Sequence, residues 1–281
     1  MKKLHQPRLW VARDALTTIG VVAAVLVWLE FTRSGGLPVD VRAYWAADPE
    51  NLYPHPELAN NGYYYSPAFE FIVAWGRLLP FEAFVAIWRA ILLAALVYLA
   101  GPLTIVVLFT VPVASEINAG NIQILLALAV ACSFRWPAAW AFVLLTKLTP
   151  GVGRLWFALR RDWRALLIAL GATAAILAIS LLLNPDAWLG YVRLLTGEPA
   201  PAVAPYYLSF WVRLPFAVAF VAFGAWRGYR WPVVVGVTLA LPVYYIISSS
   251  MLVGTLPFLR GEIGRRVEAT WPGALQRNRI A

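Results

Sequence analysis

Charged side chains make up only 13% of this 281-residue chain, against 61% hydrophobic ones. A soluble globular domain runs at about 25% charged and 45–50% apolar, and a larger core does not close that gap. The shortage of charge excludes an ordinary cytosolic enzyme, a disordered chain and a coiled coil. Cysteine occurs once, as Cys132, so neither an intramolecular disulfide nor a cysteine metal cluster can form, and a disulfide-knotted secreted module is excluded as well. Histidine occurs twice, as His5 in the N-terminal tail and His55 in a later polar loop. With the first membrane span between them they cannot share a metal, and one histidine in a loop does not make a Ser-His-Asp set. The sequence has no zinc motif, no glycine-rich phosphate loop ahead of a helix, no internal repeat and no soluble domain.

Apolar runs and aromatic rings are abundant. Fourteen tryptophans and 12 tyrosines suit a protein that anchors itself at two membrane interfaces. A bilayer core takes about 20 apolar residues of helix. The first such stretch, about 15–31, follows a tail carrying Lys2, Lys3, Arg8 and Arg13. It lacks a small-residue cleavage motif and reads as a retained helix rather than a signal peptide. A polar stretch follows at 32–66. Further apolar segments fall at about 67–79, 83–99, 103–116, 121–134, 137–153, 165–183, 207–226, 231–241 and 243–259. The expectation is an all-α polytopic bundle of about 8–10 transmembrane helices. It forms one domain over 1–259 with a basic tail at 260–281, and 103–134 is either two spans or a re-entrant pair.

Fifteen of the 23 basic residues fall in four clusters: the N-terminal tail, Arg154 to Arg164, Arg227 with Arg230, and Arg260 to Arg279. Counting spans puts all four on one side, which the positive-inside rule makes cytoplasmic. Both termini are then cytoplasmic in a plasma-membrane protein, and the loops 32–66 and 184–206 are extracytoplasmic. The net charge of +9 thus sets topology and gives no nucleic-acid partner.

Ionisable groups at membrane depth are costly and are functional candidates by default. Lys147 lies in Leu144-Leu145-Thr146-Lys147-Leu148-Thr149-Pro150, inside a long apolar run. Either it snorkels to an interface, or it faces a cavity that holds an anion, with Pro150 breaking the helix beside it. Glu116, Asn118, Asn121 and Gln123 surround Ala119-Gly120 as either a tight turn or a polar cavity wall. Glu70, Arg77 and Arg89 follow the polar loop. Arg77 is expected as an anchor at the cytoplasmic end and Glu70 near the outer end. Arg213, at the outer end of an apolar helix beside Tyr206, Tyr207 and Trp211, runs against the charge bias and is a ligand candidate.

The loop opens with Asp40-Val41-Arg42-Ala43-Tyr44-Trp45, where Asp40 is either the N-cap of a short interfacial helix at about 41–47 or a chemical group. It closes with Asn61-Gly62-Tyr63-Tyr64-Tyr65-Ser66-Pro67. Asn-Gly marks a turn, and Pro67 suits a first helical turn. The three tyrosines form either an interfacial belt or a stacking surface for a sugar or headgroup.

The order of these features resembles the GT-C glycosyltransferases that use polyprenyl-phosphate sugars, and most closely glycosyltransferase family 87, in its α-mannosyltransferase-like form. Asp40 and Tyr44 are similar to that family's Asp-x-x-x-Tyr, and Leu52-Tyr53 to its Leu-Tyr pair. Tyr65-Ser66-Pro67 stands for its Tyr-Pro-Pro, with serine in place of a proline. Gly120-Asn121-Ile122-Gln123 resembles its Gly-Gln-x-Asn with the amides exchanged. Lys147-Leu148-Thr149-Pro150 and the basic run ending in Trp163-Arg164 match its Lys-x-x-Pro step and basic loop. The resemblance covers about residues 1–165.

It implies a membrane hexosyltransferase moving mannose or a similar sugar from a polyprenyl-phosphate donor to a hydroxyl of a lipid or glycan acceptor of the cell envelope. Asp40 would take the acceptor's proton. Lys147, Arg213 and Arg42 would hold the donor phosphate, and Tyr44, Tyr63, Tyr64, Tyr65, Asn121 and Gln123 would line the substrates. No cofactor and no obligatory metal are expected. The competing readings are a lipid or lipid-phosphate carrier and an inactive relative serving as a partner subunit.

Overall fold

Among the described residues of the computed structural model, 6–53, 62–196 and 208–262, with side chains from residue 12 onward, the chain forms thirteen α-helices and no strand. Lys2, Lys3, His5, His55, Glu57, Asn61, Tyr206, Tyr207 and the tail from residue 263, together with the side chain of Arg8, lie outside the described residues. The protein is an all-α polytopic membrane protein, the architecture expected where every backbone group must be satisfied within its own segment. Four stretches are long and apolar enough to cross a bilayer: Ala12–Ser34, Phe81–Leu108, Trp163–Leu183 and Phe210–Arg227. A fifth candidate is the pair Val111–Ala119 and Gln123–Ser133, bent by 108° at its break. The other apolar segments of the sequence fold as short helices and 3-10 turns between these.

Helix α1 (Gln6–Ser34) leads into two glycines in the left-handed region, Gly35 and Gly36 at φ 77° and 59°. Only glycine adopts that backbone freely, and the chain turns there into α2 (Val39–Trp45). Helix α3 (Pro67–Val73) tightens into a 3-10 turn over Ala74–Leu78. Then come α4 (Phe81–Ala100), α5 (Thr104–Leu108), α6 (Val111–Ala119) and α7 (Gln123–Ser133). Helix α8 (Trp140–Thr146) and α9 (Leu155–Leu159) flank a 3-10 turn, Thr149–Arg154. Helices α10 (Trp163–Leu183), α11 (Pro185–Thr196), α12 (Phe210–Arg227) and α13 (Trp231–Leu239) follow, and a 3-10 run at Ile246–Thr255 closes the bundle.

The segment 67–78 does not make the pass expected of it. Seven α-helical and five 3-10 residues reach about 20 Å, well short of the roughly 30 Å hydrocarbon core. Its two charges pair with each other, Arg77 with Glu70, and Arg77 also donates to the Ala47 carbonyl at 3.0 Å. Arg77 therefore sits under α2 at the same end as Glu70, and not at the opposite face as an anchor.

The region 137–159 departs in the opposite sense. It runs out along α8, reverses at Lys147 and returns along α9. The two departures cancel, so the basic clusters still gather at one end. There Arg260 donates to the Leu99 and Ala100 carbonyls at 2.7 Å each, and Arg13 lies within electrostatic reach of it. Arg160 donates to the Ala225 carbonyl at 3.0 Å, and Arg230 stacks over Phe134. The end bearing α2 and the turn at Lys147 is the other one. In α1 and α10 only 11% of the spanning residues are buried, so these helices form the lipid-facing flank and the core lies between α4, α7, α8, α13 and the 246–255 run.

Candidate active site

Three segments distant in sequence meet at the α2 end. The first is α2 itself. Val41 and Tyr44 are fully buried, and Arg42 points out to solvent. The N-cap of α2 is Pro38, with no side-chain cap bond. Asp40 therefore does not serve as the cap. It lies in the first turn, half-buried, with its carboxylate turned to the second segment.

That segment is the break between α6 and α7. Gly120 ends α6 in the left-handed conformation, φ 71°, and a Cβ there would collide with the Val41 side chain of α2. Trp88 of α4 donates to the Gly120 carbonyl at 2.7 Å. Asn121 uses both ends of its amide. Its Oδ1 accepts from the Ile122 backbone at 2.6 Å, and its Nδ2 donates to Asp40 Oδ2 at 3.1 Å. Arg89, fully buried on α4, donates to the Phe31, Gly35, Ile117 and Asn118 carbonyls. It ties the exit of α1 to this break and acts as a structural clamp.

The third segment is the reversal at Lys147. Helix α8 stops at Thr146, and Lys147 is extended, φ −141° and ψ 120°. Pro150 has no N–H to give the Thr146 carbonyl, so α8 cannot continue through it as a regular α-helix. The Lys147 ammonium lies 5.7 Å from the centre of the Tyr65 ring. It makes no hydrogen bond or ion pair among the described residues, and Asp40 and Glu116 are the carboxylates within its electrostatic reach. Burial pushes the Asp40 carboxyl above its ordinary value, and the Lys147 charge and the Asn121 hydrogen bond offset part of that rise.

The tyrosines divide. Tyr44 packs edge-on to Tyr65 and Phe69, and its hydroxyl pairs with that of Tyr65 at 3.0 Å. Burial pushes both phenols up, so both stay protonated, and one of the two O–H groups is spent on the other. Tyr63 is buried and donates to the Ser66 carbonyl at 3.0 Å, while Ser66 donates to the Leu145 carbonyl beside Lys147. Of the three consecutive tyrosines only Tyr64, 44% exposed, presents a ring at the surface. The rings of Tyr63 and Tyr65 are buried against Phe69 and are not presented at the surface.

Arg42 and Arg213, two of the three cations expected to hold a phosphate, do not join Lys147. Arg42 is exposed and stacks over Phe81, 4.7 Å from its centre. Arg213 spends four of its five donors on the Leu208, Leu239, Leu241 and Pro242 carbonyls. It closes the unwound end of α13 against α12. Arg213→Met is expected to orphan those carbonyls, at about 1–3 kcal/mol for each left unpaired. A lower melting temperature in detergent, with unchanged binding of lipid phosphate, checks that role.

Sequence reasoning placed Asn121 and Gln123 here, grouped Glu116 with them as a tight turn or a polar wall without a role in the reaction, and gave Thr146 and Thr149 no part. Glu116, Thr146 and Thr149 each carry a buried oxygen with no partner among the described residues, as does Gln123 at Oε1. The available signal was position: Glu116 precedes Gly120 by one helical turn, and the two threonines flank Lys147.

A polytopic helical membrane protein in which a carboxylate lies within electrostatic reach of an ammonium that has no partner among the described residues has the groups for a transfer reaction at a membrane interface. A model of glycosyltransferase family 87 matches residues 63–250, two thirds of the chain. The chain belongs to glycosyltransferase family 87 and is a membrane glycosyltransferase. The match takes in Tyr63 to Tyr65, Glu116, Asn121 and Lys147, and begins after Asp40. No curated protein and no solved structure matches the chain.

Proposed function

We propose that this glycosyltransferase moves a sugar, mannose or a close relative, from a polyprenyl-phosphate donor to a hydroxyl of a lipid or glycan acceptor on the extracytoplasmic face. The observation that supports it most is the convergence of Asp40, held by Asn121, with Lys147, an ammonium free of hydrogen bonds to the described residues. The acceptor oxygen attacks the anomeric carbon and its proton passes to Asp40, a step a positioned carboxylate accelerates. The bond from that carbon to the phosphate oxygen breaks, and the polyprenyl phosphate leaves with the electron pair. Lys147 stabilises that anion where little water competes. The attack is in line, so the anomeric configuration inverts. Exposed Tyr64 and Arg42 stand at the rim, on the approach of the acceptor.

The assignment of the face rests on the basic clusters gathered at the end opposite Asp40, which the positive-inside rule makes cytoplasmic. The experiment is transfer of radiolabel from polyprenyl-phosphate mannose into membrane acceptors by the full chain in proteoliposomes. Labelled product is expected. Binding of the donor without transfer would replace this reading with a carrier or an inactive partner subunit.

A further inference from the structure

Glu116 is fully buried at the break in a helix pair and has no part in the step above. Its backbone carbonyl accepts from Gly120 and Asn121, at 2.8 and 3.2 Å. Its side chain reaches past the turn to the start of α7, where Oε1 accepts the Ile124 N–H at 3.1 Å. One residue thus grips both sides of the break. A carboxylate suits the place, because the first amides of a helix are unpaired and carry partial positive charge. Between the two grips lies Asn121, the residue whose amide meets Asp40.

We propose that Glu116 is a positioning residue for the base: it fixes the bend between α6 and α7 so that the Asn121 amide stays on the Asp40 carboxylate. The inference rests on the reading of Asp40 as the base. The 246–255 run packs against both arms of the bend, but the neighbouring hydrogen bonds to other elements hold only its α6 side. Trp88 holds the Gly120 carbonyl, and Asn118 Oδ1 accepts the Leu37 N–H at 2.9 Å. Neither ties the start of α7 to the end of α6. Glu116 Oε2 has no partner among the described residues, so the grip depends on a single oxygen and on the length of the glutamate stem.

The charged and titratable groups facing Asp40 are Lys147, Glu116, Tyr44 and Tyr65, while Arg42 on its own helix is turned to Phe81. These give the test a sign. The Asn121 hydrogen bond favours the Asp40 carboxylate, so losing it moves the acid limb of the pH–rate profile up. Deleting a neighbouring negative charge alone moves the limb down.

The experiment measures kcat, KM and the pH profile of sugar transfer for Glu116→Ala, Glu116→Gln, Asn121→Ala and the Glu116→Ala/Asn121→Ala pair. Glu116→Ala is expected to lower kcat about 100-fold, the scale of a small misplacement of a reacting group, with donor KM little changed and the acid limb moved up. The pair is expected to fall no further than Asn121→Ala, the signature of two residues acting as one unit. Glu116→Gln keeps an acceptor for the Ile124 N–H and should return kcat to within a few-fold of wild type. Should Glu116→Ala not fold, Glu116→Asp withdraws the carboxylate by one methylene at constant charge and is expected to move the limb up in the same way. Multiplying losses in the pair, a limb moved down in Glu116→Ala or Glu116→Asp, or a Glu116→Gln as impaired as alanine would each overturn the proposal. If the wild type transfers no sugar, the reading of the site fails first, and that result is distinct from all of these.

Discussion

Asp40→Asn is expected to abolish detectable sugar transfer while leaving lipid-phosphate binding intact. Removing a positioned general base costs about 10²–10⁴-fold, and little remains to replace it. The other carboxylate in reach, Glu116, is fully buried, with one oxygen committed to the start of α7. Asparagine fits the same volume, and its side-chain oxygen can still accept from Asn121, so the fold around α2 should survive. Equal transfer by both proteins would remove Asp40 from the chemistry. Transfer in the wild type alone, with matched binding, would separate the enzyme from a carrier, which has no use for a base.

The same assignment fixes a pH dependence. Asp40 must be ionised to accept a proton, so activity rises with pH through its titration. Burial outweighs Lys147 and Asn121 and raises that group, so the acid limb should lie above the ordinary aspartate value of about 3.9. A rate profile flat down to that value would contradict the burial seen here.

The membrane character, the helical class and the candidate residues Asp40, Asn121 and Lys147 could be read directly, because each is a local signal. An aspartate opens an amphipathic turn, an amide follows a helix-ending glycine, and a lysine stands in an apolar run ahead of proline. The separate fates of the tyrosines were not legible: Tyr63, Tyr64 and Tyr65 read as one group, and it is packing against Tyr44 and Phe69 that buries Tyr63 and Tyr65 while Tyr64 stays exposed. Arg213 was misjudged for a reason no local pattern carries. Helix α13 unwinds at Ala240, and the carbonyls freed at 239–242 need donors, which Arg213 supplies across the bundle. Glu70 and Arg77 were read as markers of two membrane faces because the segment between them is apolar. Their pairing is a seven-residue contact along one short, tightened segment.

Lys147→Met is expected to differ in kind from Asp40→Asn: it should weaken donor binding as well as turnover. Methionine matches the stem in length and apolar character, so a lysine that merely snorkelled would lose little by the change. The Lys147 ammonium has instead been withdrawn beside the Tyr65 ring with no hydrogen bond to a described residue, and the carboxylates of Asp40 and Glu116 act on it across space. A charge kept there must be compensated, and an incoming phosphate would compete with those carboxylates for it. Deleting it should reduce kcat/KM by about 10²–10³-fold, the cost of losing one preorganised group that stabilises developing negative charge. It should also raise the acid limb, since the Lys147 charge holds Asp40 down. Lys147→Arg retains the charge but spreads it over a planar fork in place of a compact ammonium, so it should recover binding more than rate. Measuring donor affinity and the acid limb together decides the matter. If Lys147→Met left both unchanged, Lys147 would be a membrane anchor and the phosphate would be held elsewhere.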